Sequence, residues 1–76
     1  MEKIYDLLGE LRPECDYRSS KDFFEDGLLD SFDVVSLVSL LEETYGITID
    51  GLEILPENFS SVEAIANIIT KSGGTV

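Results

Sequence analysis

The sequence predicts a small all-α protein, a four-helix bundle of three main helices and one short helix. Two observations lead to this prediction: apolar residues recur at helical spacing in three separate segments, and the chain has only 76 residues. A chain of this length forms a single domain, 1–76, with a modest core. The one cysteine, Cys15, has no partner for a disulfide within the chain, so packing alone must hold the fold together.

The first helix is predicted near the N-terminus, where apolar residues share one helical face: Ile4, Leu7, Leu8 and Leu11. Pro13 ends this helix. Residues 13–30 show no sustained period and are predicted to form a long loop between the first and second helices. Its apolar side chains would fix the loop to the core, because leaving so many of them in water is costly: Phe23, Phe24, Leu28 and Leu29.

The second helix is predicted over residues 31–45. Asp30 or Ser31 can cap its N-terminus, Asp33 places negative charge in the first turn, and Gly46 is a plausible stop. One apolar stripe runs along it: Val34, Leu37, Val38, Leu41 and Tyr45.

The remaining elements are shorter. Residues 47–49 are predicted to be an extended linker, and a short helical turn, broken by Pro56, is predicted within 50–58. The last helix is predicted to begin with a capping box of Ser60 and Glu63. Its core face consists of Val62, Ile65, Ala66 and Ile69, with Ile68 at the margin. The tail 73–76 is expected to fray.

Charge limits the classes of partner. The chain has 16 acidic and 5 basic residues and no histidine, and no Lys or Arg occurs between Asp22 and Thr70. Nucleic acids and anionic membranes attract basic surfaces, so neither is an expected partner. A protein with a basic docking surface is the natural complement. With no long apolar stretch and no secretory signal, the sequence favours a cytoplasmic monomer that does not insert into membranes.

Catalytic chemistry is not predicted. Without histidine a Ser-His-Asp triad is excluded, and Cys15 has no companions for a zinc site. The acidic residues do not match the calcium-loop spacing. We therefore expect no catalytic residues, no bound metal and no enzymatic activity. The charges of Glu14 and Asp16 disfavour a thiolate at Cys15, which favours an inert thiol.

Ser31 allows two interpretations. Its hydroxyl is a cap for the second helix or the attachment point of a phosphate-linked group, since a helix N-terminus favours an anion. Asp30 could hold a metal ion, or orient the serine, while a separate enzyme transfers that group. An outer strip of the same helix suits docking to a basic, partly apolar partner. This docking strip consists of Phe32, Val35, Ser39, Glu42 and Glu43.

The segment Gly-Leu-Leu-Asp-Ser-Phe at 27–32 resembles the Asp-Ser-apolar attachment motif of acyl and peptidyl carrier proteins. The resemblance covers nearly the whole chain, including 41–47 and 59–65. It implies that Ser31 carries 4′-phosphopantetheine, transferred from coenzyme A by a phosphopantetheinyl transferase. The thiol of that arm would hold an acyl or aminoacyl thioester. Activating ligases, transferases or synthases would then meet the carrier at the docking strip and Asp30.

Two departures from fatty-acid carriers refine this resemblance. Those carriers usually read Leu-Gly-Ala-Asp-Ser-Leu up to the serine, and they often place an acid where this chain has Ser36. The chain is more similar to stand-alone carriers, including D-alanine carriers, but its cargo stays open. The alternative from another class is an acidic helical interaction adaptor with no prosthetic group.

Overall fold

The computed structural model describes residues 2–75, which contain three α-helices and no β-strand. Helix α1 spans Glu2–Leu11, α2 spans Ser31–Tyr45 and α3 spans Val62–Lys71. Two 3₁₀ helices, Gly51–Glu53 and Pro56–Asn58, lie between α2 and α3. The predicted all-α class is confirmed.

One apolar cluster joins the three helices and the segments between them. The anchors predicted in residues 13–30 behave as expected: Phe23 and Leu29 are buried, and Phe24 and Leu28 pack half-buried against the cluster. Ile68 was predicted at the margin of α3 but is buried with its neighbours. The core therefore fixes the chain on both sides of α2.

The bounds of α2 agree with the prediction because local signals mark both ends. Asp30 caps the N-terminus, and Gly46 follows the C-terminus with φ 65°, in the left-handed region that favours glycine. The Gly46 N–H donates to the carbonyl oxygen of Glu42, which satisfies one of the last carbonyls of the helix.

The predicted capping box at the start of α3 is wrong by one residue. Ser61 is the N-cap, and its Oγ accepts a hydrogen bond from the Ala64 N–H at 3.1 Å. The Ser60 hydroxyl instead donates to the carbonyl of Glu57, and the Ser60 carbonyl accepts from the Phe23 N–H at 2.8 Å. These two bonds hold Ser60 in the preceding turn, so the helix begins one residue later.

The segment 50–58 differs from the single short helix that was predicted. It forms two 3₁₀ turns, the first capped by Asp50, whose carboxylate accepts from the Leu52 N–H at 2.9 Å. Pro56 has no N–H and forces Leu55 before it into an extended conformation. An α-helix therefore cannot run through this segment.

At the C-terminus, the Gly73 N–H donates to Thr70 and the Gly74 N–H to Ile69, at 3.1 and 2.8 Å. These bonds lie within the tail predicted to fray, 73–76, whose last residue, Val76, lies outside the described residues. None of the helices in the described part of the chain combines the length and the apolar character that a membrane crossing needs.

Candidate functional site

Ser31 is the first residue of α2, and its side chain is exposed. The residue before it performs the capping: the Asp33 N–H donates to Asp30 Oδ1 at 3.0 Å, and the Asp30 N–H donates to Asp33 Oδ2 at 3.0 Å. This reciprocal capping box satisfies two backbone donors with two carboxylates. The helix therefore does not need the Ser31 hydroxyl as its cap.

Arg12, directly after α1, ties this end of α2 to the first helix. Its Nε donates to Asp33 Oδ2 at 2.8 Å, and its Nη2 lies 3.4 Å from Asp30 Oδ2. The Asp33 side chain is only 14% exposed, whereas that of Arg12 is 36% exposed. Asp30, the residue before Ser31, and Asp33, two residues after it, thus both contact one guanidinium from the residue that follows α1.

The same contacts set the ionisation of the site. The Asp33 N–H that donates to Asp30 holds the pKa of the Asp30 carboxyl below its ordinary value, and Arg12 adds to that shift. The hydrogen bond to Asp33 raises the pKa of Arg12. At neutral pH Asp30, the residue before Ser31, is therefore an ionised carboxylate that contacts a charged guanidinium.

Tyr17 is buried close to this charged group. Its ring meets Phe23 edge-on at 5.2 Å, and among residues 2–75 its buried hydroxyl has no hydrogen-bond partner. Burial raises the pKa of Tyr17, and the neighbouring Cys15 and Asp33 raise it further. The tyrosine hydroxyl is therefore neutral, and it incurs the cost of an unsatisfied polar group.

Only three of the five residues of the predicted docking strip line the same surface groove in the structure. Val35, Ser39 and Glu43 line a surface groove, called here the α1–α2 groove, together with two residues from α1 and two from α2: Glu10, Leu11, Ser36 and Leu40. Phe32 and Glu42 are not among the lining residues. Sequence reasoning missed the contribution of α1, because only the fold shows which face of α1 lies beside α2.

Two docking candidates have different surroundings. Phe32 is 84% exposed, unusual for a phenylalanine on a helix and consistent with a contact surface. Glu42 is half-buried, and its carboxylate accepts a hydrogen bond from the Ile49 N–H at 2.9 Å. Glu42 therefore fastens the segment after α2 to the helix.

Sequence reasoning also missed two exposed apolar side chains in the 3₁₀ region. Leu52 is 84% exposed, and Leu55, directly before Pro56, is exposed as well. The turn residues Asp50 and Gly51 and the helix-breaking Pro56 could have indicated that these leucines do not belong to the apolar face of a helix. The chain therefore shows apolar side chains to solvent both on α2 and between α2 and α3.

Comparisons with known proteins show the family of the chain. Residues 2–69 match the protein family described as phosphopantetheine attachment site. The chain belongs to the phosphopantetheine-binding carrier proteins. It is also 32% identical over 72 residues, or 92% of each chain, to a protein named D-alanyl carrier protein from Bacillus velezensis strain FZB42. No solved structure matches the chain at a significant level.

Membership of this carrier family confirms the predicted function and cofactor. The protein holds an acyl or aminoacyl group as a thioester on a covalent 4′-phosphopantetheine arm, and it is not an enzyme. Carriers work with a phosphopantetheinyl transferase and with ligases or synthases. The alternative of an adaptor without a prosthetic group does not describe a member of this family. The exposed hydroxyl at the α2 N-terminus fits the chemistry of a phosphodiester link.

Proposed function

We propose that Ser31 is the residue to which 4′-phosphopantetheine is attached. The observation that carries this proposal is the division of tasks at the α2 N-terminus: Asp30 caps the helix, so the adjacent serine hydroxyl is exposed and free to be esterified. Family membership supplies the arm, and the Asp-Ser-Phe sequence at 30–32 resembles the motif that receives it.

The proposed cargo is an aminoacyl group, D-alanine in particular. The support is the similarity of this chain, over 92% of its length, to a protein named D-alanyl carrier protein. The thioester would form on the thiol of the arm after a separate ligase has activated the amino acid. The carrier would bring the loaded arm to the enzyme that uses it.

We propose that Asp30 assists loading of the arm as well as capping α2. Its carboxylate is 57% exposed and ionised, so it can orient the Ser31 hydroxyl or hold a cation of the transferase. Arg12 Nη2 lies at 3.4 Å, longer than a strong charged hydrogen bond, so this second contact leaves Asp30 accessible.

We propose that partner enzymes use a basic, partly apolar surface of their own to dock on α2. Phe32 and Val35 offer apolar area, and Glu43 adds charge at the α1–α2 groove. In this proposal the protein is a cytoplasmic monomer and residues 1–76 form a single carrier domain. The two 3₁₀ turns, Gly51–Glu53 and Pro56–Asn58, lie where the short fourth helix was predicted.

The attachment is tested by incubating the purified protein with coenzyme A, Mg²⁺ and a broad-specificity phosphopantetheinyl transferase. Intact mass should rise by one phosphopantetheine group in the wild type and stay unchanged in Ser31→Ala. Ser61→Ala is the matched control, since it alters the other serine at a helix start and should be modified fully. Modification of Ser31→Ala would overturn the assignment.

The cargo is tested on the holo protein with ATP and a D-alanine-activating ligase. Labelled D-alanine should become attached in a form that hydroxylamine releases, as expected for a thioester. Labelled L-alanine under the same conditions is the control. Absence of D-alanine transfer to a fully modified carrier would contradict this cargo while leaving the attachment intact.

A further inference from the structure

The guanidinium of Arg12 has unused donor capacity next to Asp30, the residue before Ser31. It offers five N–H donors, and only Nε makes a short contact, to Asp33 Oδ2 at 2.8 Å. Nη2 lies 3.4 Å from Asp30, and Nη1 lies 4.0 Å from Glu14. Charged hydrogen bonds are normally about 2.7–2.9 Å long, so these two nitrogens are only loosely held.

The charge around Ser31 makes this capacity important. Arg12 faces three carboxylates, and the sequence contains no Lys or Arg from 22 to 70. Among the described residues, Arg18 is paired with Glu2, and Lys71 with Glu53. A phosphodiester on Ser31 would add one more negative charge directly between Asp30 and Asp33. Arg12 is a cation that contacts both Asp30, the residue before Ser31, and Asp33, two residues after it.

We propose that Arg12 binds the phosphodiester of the attached arm. Nε stays on Asp33, whose side chain is only 14% exposed and anchors the guanidinium, while Nη2 exchanges its long contact with Asp30 for a phosphate oxygen. No covalent bond changes in this exchange. Arg12 thereby directs the base of the arm toward the α1 side of α2. The inference rests on Ser31 as the attachment residue.

The first test compares holo proteins by ³¹P nuclear magnetic resonance. Arg12→Gln removes the charge, and Arg18→Gln, whose ion pair lies with Glu2, is the matched control. The phosphodiester resonance should shift in Arg12→Gln and stay at the wild-type position in Arg18→Gln. Added salt should move the wild-type resonance toward that of Arg12→Gln, because salt screens an exposed ion pair. An identical resonance in all three proteins would overturn the proposal.

The second test separates arm binding from a purely structural tie between α1 and α2. The melting temperature of each protein is measured before and after modification. Modification should lower the melting temperature of Arg12→Gln more than that of the wild type, since the added charge is then unopposed. An equal change in both would reduce Arg12 to a structural tie. Arg12→Met, which also removes the charge but keeps an unbranched side chain, replaces the glutamine variant if that variant does not fold, with the same expected results.

Failure of this inference is distinguishable from failure of the attachment proposal. If the wild type gains no mass at Ser31, the attachment proposal fails. If the wild type and Arg12→Gln both gain the phosphopantetheine mass, but their ³¹P resonances and their changes in melting temperature coincide, only the proposed role of Arg12 is wrong.

Discussion

The N-termini of α2 and α3 both contain serines, and they use them differently. At α3, Ser61 is the cap itself, and the first helical residue, Val62, is buried. At α2, Asp30 is the cap, and Ser31 occupies the first helical position with an exposed side chain. A serine at a helix start is thus structural where its oxygen accepts the backbone hydrogen bond, and chemically available where a neighbour performs that task.

The N-termini of α2 and α3 also differ at the third helical position. Asp33 in α2 returns a hydrogen bond to the cap and binds Arg12, whereas α3 has Ala64 at the equivalent position. The α2 N-terminus is therefore built from carboxylates with a cation, Arg12, from the residue directly after α1. The α3 N-terminus relies on one hydroxyl and on the burial of its first residues.

Asp33→Ala should separate the two helix ends most strongly, because it makes the third position of α2 like that of α3. It removes the bond to the Asp30 N–H and the half-buried contact with Arg12, and should lower the free energy of unfolding by about 2 kcal/mol. Urea denaturation measures the change. Glu63→Ala, at an exposed residue in the first turn of α3, should cost less than about 0.5 kcal/mol. Equal effects would contradict the difference between the two ends.

The next prediction concerns the serines themselves. Ser61→Ala should lower the free energy of unfolding by about 1 kcal/mol, because the Ala64 N–H loses its acceptor. Ser31→Ala should change it by less than about 0.5 kcal/mol, since Asp30 remains as the cap. Both are measured on the unmodified protein by urea denaturation. A larger loss in Ser31→Ala than in Ser61→Ala would restore Ser31 as a structural cap.

More of the structure at the N-terminus of α2 than at that of α3 could be predicted from the sequence. Local signals sufficed for the bounds 31–45 and for the exposure of Phe32, because helical period, cap and glycine stop lie within one segment. The contact of Arg12 with Asp33 joins residues 21 positions apart, and no local pattern contains it. Physical packing of α1 against α2 creates that contact.

At α3, two adjacent serines gave two possible capping registers. The S-x-x-E spacing favoured Ser60, but long-range bonding of its carbonyl to the Phe23 N–H settles the register at Ser61. The contact of Glu42 could not be predicted from local sequence either, since its hydrogen bond with the Ile49 N–H requires the chain to turn at Gly46. Charge and period predicted which surface carries the acids, and tertiary contacts decide which acids are free.

A smaller effect is expected at Tyr17, a buried residue whose pKa is raised in part by Asp33 of α2. Tyr17→Phe removes a buried hydroxyl that lacks a partner among the described residues and keeps the edge-on contact with Phe23. The free energy of unfolding should rise by about 0.5–1 kcal/mol. The control Tyr45→Phe, at a half-buried position, should change little. A loss of stability in Tyr17→Phe would mean that its hydroxyl is satisfied.

The smallest effect is a difference in pH dependence between the two caps. The lowered pKa of Asp30 makes its charged form favourable to the folded state, so this contribution is present above its ordinary pKa of 3.8 and is lost as pH falls through the lowered value. Asp30→Ser gives α2 the uncharged cap of α3. The excess stability of the wild type over Asp30→Ser should therefore shrink on acidification from about pH 7 to about pH 2. A constant difference would contradict a charged cap.

Fragmentation mass spectrometry of the modified wild-type protein locates the arm and so tests the assignment of Ser31. The chain has eight serines, including Ser60 and Ser61 at the other helix start, so the position is informative. We predict that fragments containing Ser31 carry the whole phosphopantetheine mass and that fragments with only the other serines carry none. Phosphopantetheine on any other serine would contradict the claim that the α2 N-terminus frees its serine for attachment.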